Sequence, residues 1–337
     1  MRRRSCLDRA GAANDWAQGG EDVMTDLGRY ILEEWAEEYR EGRLGRREFL
    51  RRITVFAGGA AAGTALLATL GVTASSDEVR AAAASPAPPP ALTAQPVVPP
   101  DDPSLDARMV SFPGTAPGPQ TVFGYLAQPK GAGRLPAVTV IHENRGLVDH
   151  IKDVARRVAK LGYAALAVDL VSGAGGTDKL SDPAQASSIL GQTPPEQLVA
   201  TASAGVRYAG SLPRARPDRL GVMGFCFGGA VTWRVATAVP ELRAAMPFYG
   251  SNPPLEDVAK IRAAVLAFYG ALDERVDAGI PAMREALDRA TVVYDMVVEP
   301  NCGHAFFNNT ASSYNASAAQ DAWARLQTWF GRYLKTA

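Results

Sequence analysis

Between Ala137 and Val298, six short apolar runs alternate with segments of helical periodicity, and this alternation limits the architecture more than any other feature of the chain. The runs are Ala137 to His142, Ala164 to Leu170, Leu220 to Phe225, Ala244 to Tyr249, Ala264 to Tyr269 and Val292 to Val298. Unbroken apolar character over such lengths belongs to strands buried on both faces. Helical patterns span Val148 to Lys160, Pro195 to Ser211, Gly229 to Ala238, Ala278 to Ala290 and Ser317 to Leu334, with Gly162 reading as a helix stop. The expectation is an α/β fold, a mostly parallel doubly wound sheet with helices on both faces, entered by an antiparallel lead of Met109 to Phe112 and Thr121 to Ala127. Ligands of such sheets sit beyond the carboxyl ends of the strands.

This α/β domain spans 106–337, and it shows no internal repeat at a solenoid period. Thirty-five Lys plus Arg balance 35 Asp plus Glu, so no bulk electrostatic argument favours nucleic acid. The partner expected is a small molecule. Cys6, Cys226 and Cys302 are too few and too scattered for a disulfide framework, no Cys/His run has zinc-ligand spacing, and no metal or organic cofactor is implied.

Upstream lie a charged presequence (1–52), an apolar segment (53–80) and an Ala/Pro-rich linker (81–105) that should act as a semi-rigid tether without core residues. Gly45-Arg46-Arg47-Glu48-Phe49-Leu50 resembles a twin-arginine signal. The resemblance implies export through the twin-arginine machinery, with cleavage, to a periplasmic or extracytoplasmic location. The alternative is an uncleaved membrane anchor formed by residues 53–76. Met24 offers a cleaner start than Met1. Leu27, Ile31, Leu32 and Trp35 share one helical face, which reads as a short presequence helix with no part in catalysis.

One strand end carries the sharpest motif. Gly224-Phe225-Cys226-Phe227-Gly228-Gly229 joins a strand to a helix with glycines two before and two after a cysteine, the spacing of a nucleophile elbow. The turn strains its central residue and brings backbone against backbone, hence the small neighbours. Cys226 would also sit at a helix N-terminus, whose dipole favours a thiolate.

A nucleophilic cysteine requires a base, and the chain has three histidines, His142, His150 and His304. His304, in Asn301-Cys302-Gly303-His304-Ala305-Phe306, lies between the last strand and the last helix, where this kind of sheet supplies its base. Asp273 ends the preceding strand run and is the expected acid, with Asp277 in reserve. The backbone N–H groups of Asn144 and Phe227 are placed by position as the oxyanion hole. Cys302, two residues before His304, reads first as a thiol packed under the loop, with pairing to Cys226 as the alternative.

Together, these residues resemble the dienelactone hydrolase family of α/β-hydrolases, from about Val122 to the C-terminus. The resemblance implies a Cys226–Asp273–His304 triad and gives Glu143, in His142-Glu143-Asn144-Arg145-Gly146, the part of a carboxylate that holds the resting thiol and moves aside for substrate. The chain departs from the family at two positions. Family members that hydrolyse dienelactone grip its carboxylate with two arginines, where this chain has Asn308 and Gly173. Arg145 could supply one arm of a substrate contact, although a surface ion pair is the plainer reading, and Asn308 is the other candidate substrate-binding residue. The activity implied is hydrolysis of esters or lactones through a thioester acyl-enzyme. The alternatives are a carboxylesterase or thioesterase of other acyl preference, and an exported, non-catalytic binding module.

Overall fold

The computed structural model describes residues 24–86, 96–131 and 133–335. Helices α1 (Asp26–Arg40), α2 (Arg46–Phe56), α3 (Ala60–Thr69) and α4 (Ser76–Ala83) come first. They are followed by β1 (Leu105–Pro113), β2 (Thr121–Pro129), β3 (Leu135–Ile141), α5 (Asp149–Lys160), β4 (Ala164–Asp169), α6 (Pro183–Gln192), α7 (Pro195–Ser211), β5 (Ala215–Phe225) and α8 (Phe227–Ala238). The chain continues with β6 (Leu242–Phe248), β7 (Ala264–Gly270), α9 (Glu274–Asp277), α10 (Ile280–Arg289), β8 (Tyr294–Glu299) and α11 (Ala316–Phe330).

The eight strands among the described residues join one sheet in the order β1-β2-β4-β3-β5-β6-β7-β8. β1 and β2 pair antiparallel, β2 runs antiparallel to β4, and every later pairing is parallel. Every residue of β3, β4 and β7 is buried, as uninterrupted apolar runs require when helices cover both faces. α5 packs on β2, β3 and β4 through Ile151, Val154, Ala155 and Val158, one face of a 3.6-residue repeat, and stops at Gly162 with φ 90°. Each large aliphatic side chain so buried contributes roughly 1.5–3 kcal/mol of transfer free energy. α7 and α8 pack on the central strands. The first turn of α8 therefore abuts the carboxyl end of β5.

Two features depart from the sequence expectations. α6, not foreseen, begins with a capping box in which the Asp182 side chain accepts from the Ala184 N–H and Gln185 reaches back to the Asp182 N–H. That box is readable in Asp182-Pro183-Ala184-Gln185; the weak amphipathicity of the helix beyond it conceals the element. The second is the 81–105 linker, expected to carry no core. Ala82 and Val98 are buried, the Val98 N–H donates to Asp153 Oδ1 at 2.8 Å, and its carbonyl accepts from Arg156 Nε at 2.7 Å. Satisfied backbone groups of this kind tie the end of the linker to α5. Residues 87–95 of the linker, residues 1–23 and Cys6 lie outside the described residues.

The apolar segment folds as the end of α2 and as α3, which meet at a bend of 112°. Among the described residues no single helix is long and apolar enough to cross a membrane, although this bent pair has the length and composition to do so. Leu27, Ile31, Leu32 and Trp35 of α1 are buried in the same continuous core as Phe49, Ile53 and Phe56 of α2. α1 packs against α6 and α8, so the presequence helix lies on the α/β domain rather than apart from it.

Candidate active site

At the end of β5 the chain turns through Cys226, with φ 55° and ψ −122°, and enters α8. A β-carbon on Gly224 would lie 2.3 Å from the Gly228 carbonyl oxygen, and one on Gly229 would lie 2.3 Å from that of Phe248. Only glycine permits both approaches, and the strained Cys226 is held between them. The Cys226 N–H donates to the Phe248 carbonyl at 3.0 Å, which ties the turn to β6.

His304 lies in a loop whose Asn301 and Ala305 both adopt positive φ. Its Nδ1 meets Asp273 Oδ2 at 2.6 Å, and the other carboxylate oxygen of Asp273 accepts the Val276 N–H at 3.3 Å at the start of α9. All three groups are buried: Cys226 is 2% exposed, Asp273 1% and His304 5%. Burial alone would depress the His304 pKa, but the adjacent Asp273 carboxylate overcomes it and holds the imidazole above its ordinary value. Burial likewise opposes ionisation of Asp273, and the charge and hydrogen bond of His304 keep it below the usual carboxylate range. Asp277, the reserve acid, is pushed up to about 7 by burial and by the Asp273 charge, and it makes no hydrogen bond to His304 among the described residues.

The other two histidines are engaged elsewhere. His142 Nε2 accepts from the Leu170 N–H at 3.0 Å, and His150 Nδ1 meets Asn309 Oδ1 at 3.1 Å. Cys226 and Cys302 are free thiols, and Cys302 donates to the Glu299 carbonyl at 3.4 Å, packed under the loop. Asn144 is buried with its carbonyl accepting from Ser187 Oγ at 2.8 Å, and the Phe227 N–H contacts the Cys226 sulfur. Asn308 donates from Nδ2 to Glu143 Oε2 at 2.7 Å, so its amide is committed to a carboxylate of the protein. Arg145 is exposed, and its charge acts on Glu38 and Glu143. Glu143 is pushed up to about 7, chiefly by burial, and its Oε1 has no partner among the described residues.

The carboxylate bonded to Cys226 is not the expected Glu143, whose Oε2 accepts from Asn308, but one from α1. Cys226 donates from Sγ to Glu34 Oε2 at 3.1 Å, the same oxygen accepts from Asn144 Nδ2 at 3.2 Å, and Glu34 Oε1 stands 3.8 Å from His304 Nε2. Tyr30, one turn earlier, donates its hydroxyl to the Tyr249 carbonyl at 3.0 Å and lies 3.4 Å from His304 Nε2. Burial, the charges of Glu34 and Glu143, and the Glu34 hydrogen bond together push the Cys226 thiol well above its ordinary pKa. The donor atoms of Glu34, Cys226 and His304 fall within 4.8 Å of one another, a spacing a metal ion could bridge, and here the thiol proton already joins two of the three. Neither Glu34 nor Tyr30 stands out in the sequence. The only signal is the apolar face of α1, which says that the helix is covered but not by what.

A profile of the dienelactone hydrolase family matches residues 122–334. The chain belongs to the dienelactone hydrolase family. Among curated relatives, a protein of Methylorubrum extorquens provisionally named carboxymethylenebutenolidase is 36% identical over 257 residues, covering 72% of this chain and 86% of that protein. A protein of Escherichia coli with the same provisional name is 32% identical over 257 residues, covering 71% and 92%. A solved structure described as a candidate dienelactone hydrolase from Klebsiella pneumoniae superposes with a TM-score of 0.59 at 31% identity, covering 67% of this chain and 100% of that one. A dienelactone hydrolase-like promiscuous phosphotriesterase from metagenomic libraries superposes with a TM-score of 0.61 at 29% identity, covering 68% and 99%. The fold is that of the α/β-hydrolases, and the protein is a dienelactone hydrolase-like hydrolase. Helices α1–α4 lie outside the residues that the family profile matches.

Proposed function

We propose that the protein hydrolyses carboxylic esters or lactones by covalent catalysis at Cys226. The observation that carries the reading is the 2.6 Å bond between His304 Nδ1 and Asp273, which fixes the imidazole with Nε2 toward the elbow. His304 Nε2 takes the thiol proton, the sulfur attacks the carbonyl carbon, and the N–H groups of Asn144 and Phe227 hold the resulting oxyanion. Collapse expels the alcohol, protonated by His304, and leaves a thioester on Cys226. His304 then deprotonates water, which attacks the thioester; the acid leaves and the thiol is restored. Glu143 serves as the resting carboxylate of the thiol when Glu34 is withdrawn.

A carboxylesterase or thioesterase of another acyl preference would use the same residues, whereas a binding module would not need a filled triad. The test is turnover of p-nitrophenyl acetate, however slow, before and after iodoacetamide. Loss of activity in step with alkylation of Cys226 is expected; undiminished turnover after complete alkylation would refute the reading.

Specificity depends on the residues that stand in place of the arginine clamp. Asn308 is bonded to Glu143 and Gly173 has no side chain, so neither position offers a cation to a substrate carboxylate. Burying an unpaired carboxylate costs several kcal/mol. Neutral lactones should therefore exceed carboxylate-bearing dienelactones in kcat/KM by about 10-fold or more. A dienelactone turned over faster than every neutral lactone tested would overturn this.

We further propose export by the twin-arginine route. Arg46 and Arg47 lie exposed at the first turn of α2, where Arg46 Nη2 donates to the Thr73 carbonyl at 2.8 Å and Arg47 Nε to Ser85 Oγ at 2.7 Å. A receptor could read them while the helix stays docked. Replacing both by lysine should leave uncleaved protein in the cytoplasm, as followed by fractionation and immunoblot. Unchanged delivery of a shortened form outside the cytoplasm would contradict the route.

A further inference from the structure

We infer that residues 24–86 are an intramolecular inhibitor of the hydrolase, with α1 occupying the place that an acyl substrate must take. The inference rests on Cys226 being the nucleophile and extends that reading. Glu34 accepts the thiol hydrogen bond that would otherwise be free to pass to the base, and Tyr30 occupies the free side of His304 at Nε2. No hydrogen bond joins Cys226 to His304 among the described residues, although their donor atoms lie within 4.8 Å. α1 takes the thiol proton through Glu34 and covers the base with Tyr30, whose own proton goes to the Tyr249 carbonyl. A surface cleft beside α1 is walled by Tyr30, Ser251, Asn252 and Arg275, and Cys226 does not line it.

The docking is built rather than incidental. Gly28 lets α1 approach α6 so closely that a β-carbon there would lie 2.4 Å from the Gly191 carbonyl oxygen, and Thr25 Oγ1 donates to that same oxygen at 2.9 Å. Ion pairs flank the contact: Asp26 with Arg234, Glu37 with Arg275 at 3.1 Å, and Arg51 with Asp182. The guanidinium of Arg275 also lies 4.5 Å over the Tyr30 ring. α1 stands outside the residues matched by the family profile and contributes no strand to the sheet. The Ala/Pro-rich linker holds the segment at a high effective concentration, of millimolar order for short tethers, and cutting the linker converts docking to a bimolecular event that dilution reverses.

The test places a site-specific protease site within 87–95 of the otherwise complete chain and follows two readouts before and after cutting and dilution: the rate of Cys226 alkylation by iodoacetamide and the hydrolysis of p-nitrophenyl acetate. In parallel, Gly28→Leu in the uncut chain displaces α1 sterically while touching no catalytic group, with the melting transition of the α/β domain as a control for folding. Both manipulations should raise alkylation and turnover by about 100-fold or more, as expected when an open form populated at about 1% becomes dominant. If neither raises alkylation, the inhibitor is refuted while the hydrolase reading stands. If alkylation rises and no ester or lactone is turned over, the occlusion is upheld and the hydrolase reading fails.

Discussion

Cys226→Ala is expected to lower kcat for any ester or lactone substrate by about 10⁴-fold or more while leaving the melting temperature within a few degrees of the parent. The elbow strain resides in the backbone at φ 55°, which alanine bears as cysteine does, so the substitution removes the sulfur and little else. His304→Ala should cost a comparable factor, because residues that act as one unit are not additive and the loss of either disables the same step. The measurement is steady-state turnover with the linker-cut chain alongside the intact one. Near wild-type activity in Cys226→Ala would exclude the covalent mechanism.

Asp273→Asn should reduce kcat by about 10⁴-fold, against less than about 10-fold for Asp277→Asn. Asp273 holds Nδ1 at 2.6 Å and thereby leaves Nε2 as the nitrogen toward Cys226; Asp277 shares the neighbourhood without that bond. The pH profile separates the two further. Asp273 raises the His304 pKa, so the neutral imidazole needed as base is gained at a higher pH than in an ordinary histidine. Removing that carboxylate should move the acid limb of the rate profile to lower pH, and Asp277→Asn should shift it less. Equal losses in the two variants would mean that the acid has been misassigned.

The strands, and the meeting of Cys226, Asp273 and His304, are legible in the sequence because their signals are local. A buried parallel strand must be apolar throughout, an elbow must have glycine where backbone meets backbone, and Asp273 and His304 both follow strand ends. His304 is separable from His142 and His150 by position alone, and the structure places the other two against Leu170 and Asn309. Less legible is anything decided by docking. Leu27, Ile31, Leu32 and Trp35 announce a covered face, but that the cover is α6 and α8, and that Glu34 reaches Cys226 as a result, depends on distances between elements far apart in the chain. Asn308 invites a reading as a substrate contact by its position; its bond to Glu143 depends on how the loop after His304 folds back across the end of β3. Val98 fails the linker reading for the same reason, since only the approach of α5 supplies its partners Asp153 and Arg156.

The central claim is that an acyl group passes through the sulfur of Cys226. Its most direct test is to mix the linker-cut and intact chains with a slowly turned-over p-nitrophenyl ester, quench in acid, where a thioester survives, and locate the acyl mass by peptide mass spectrometry. The acyl group is expected on the peptide that contains Cys226, absent from Cys226→Ala and removed by neutral hydroxylamine. Turnover with the acyl group carried on a different residue would contradict the account.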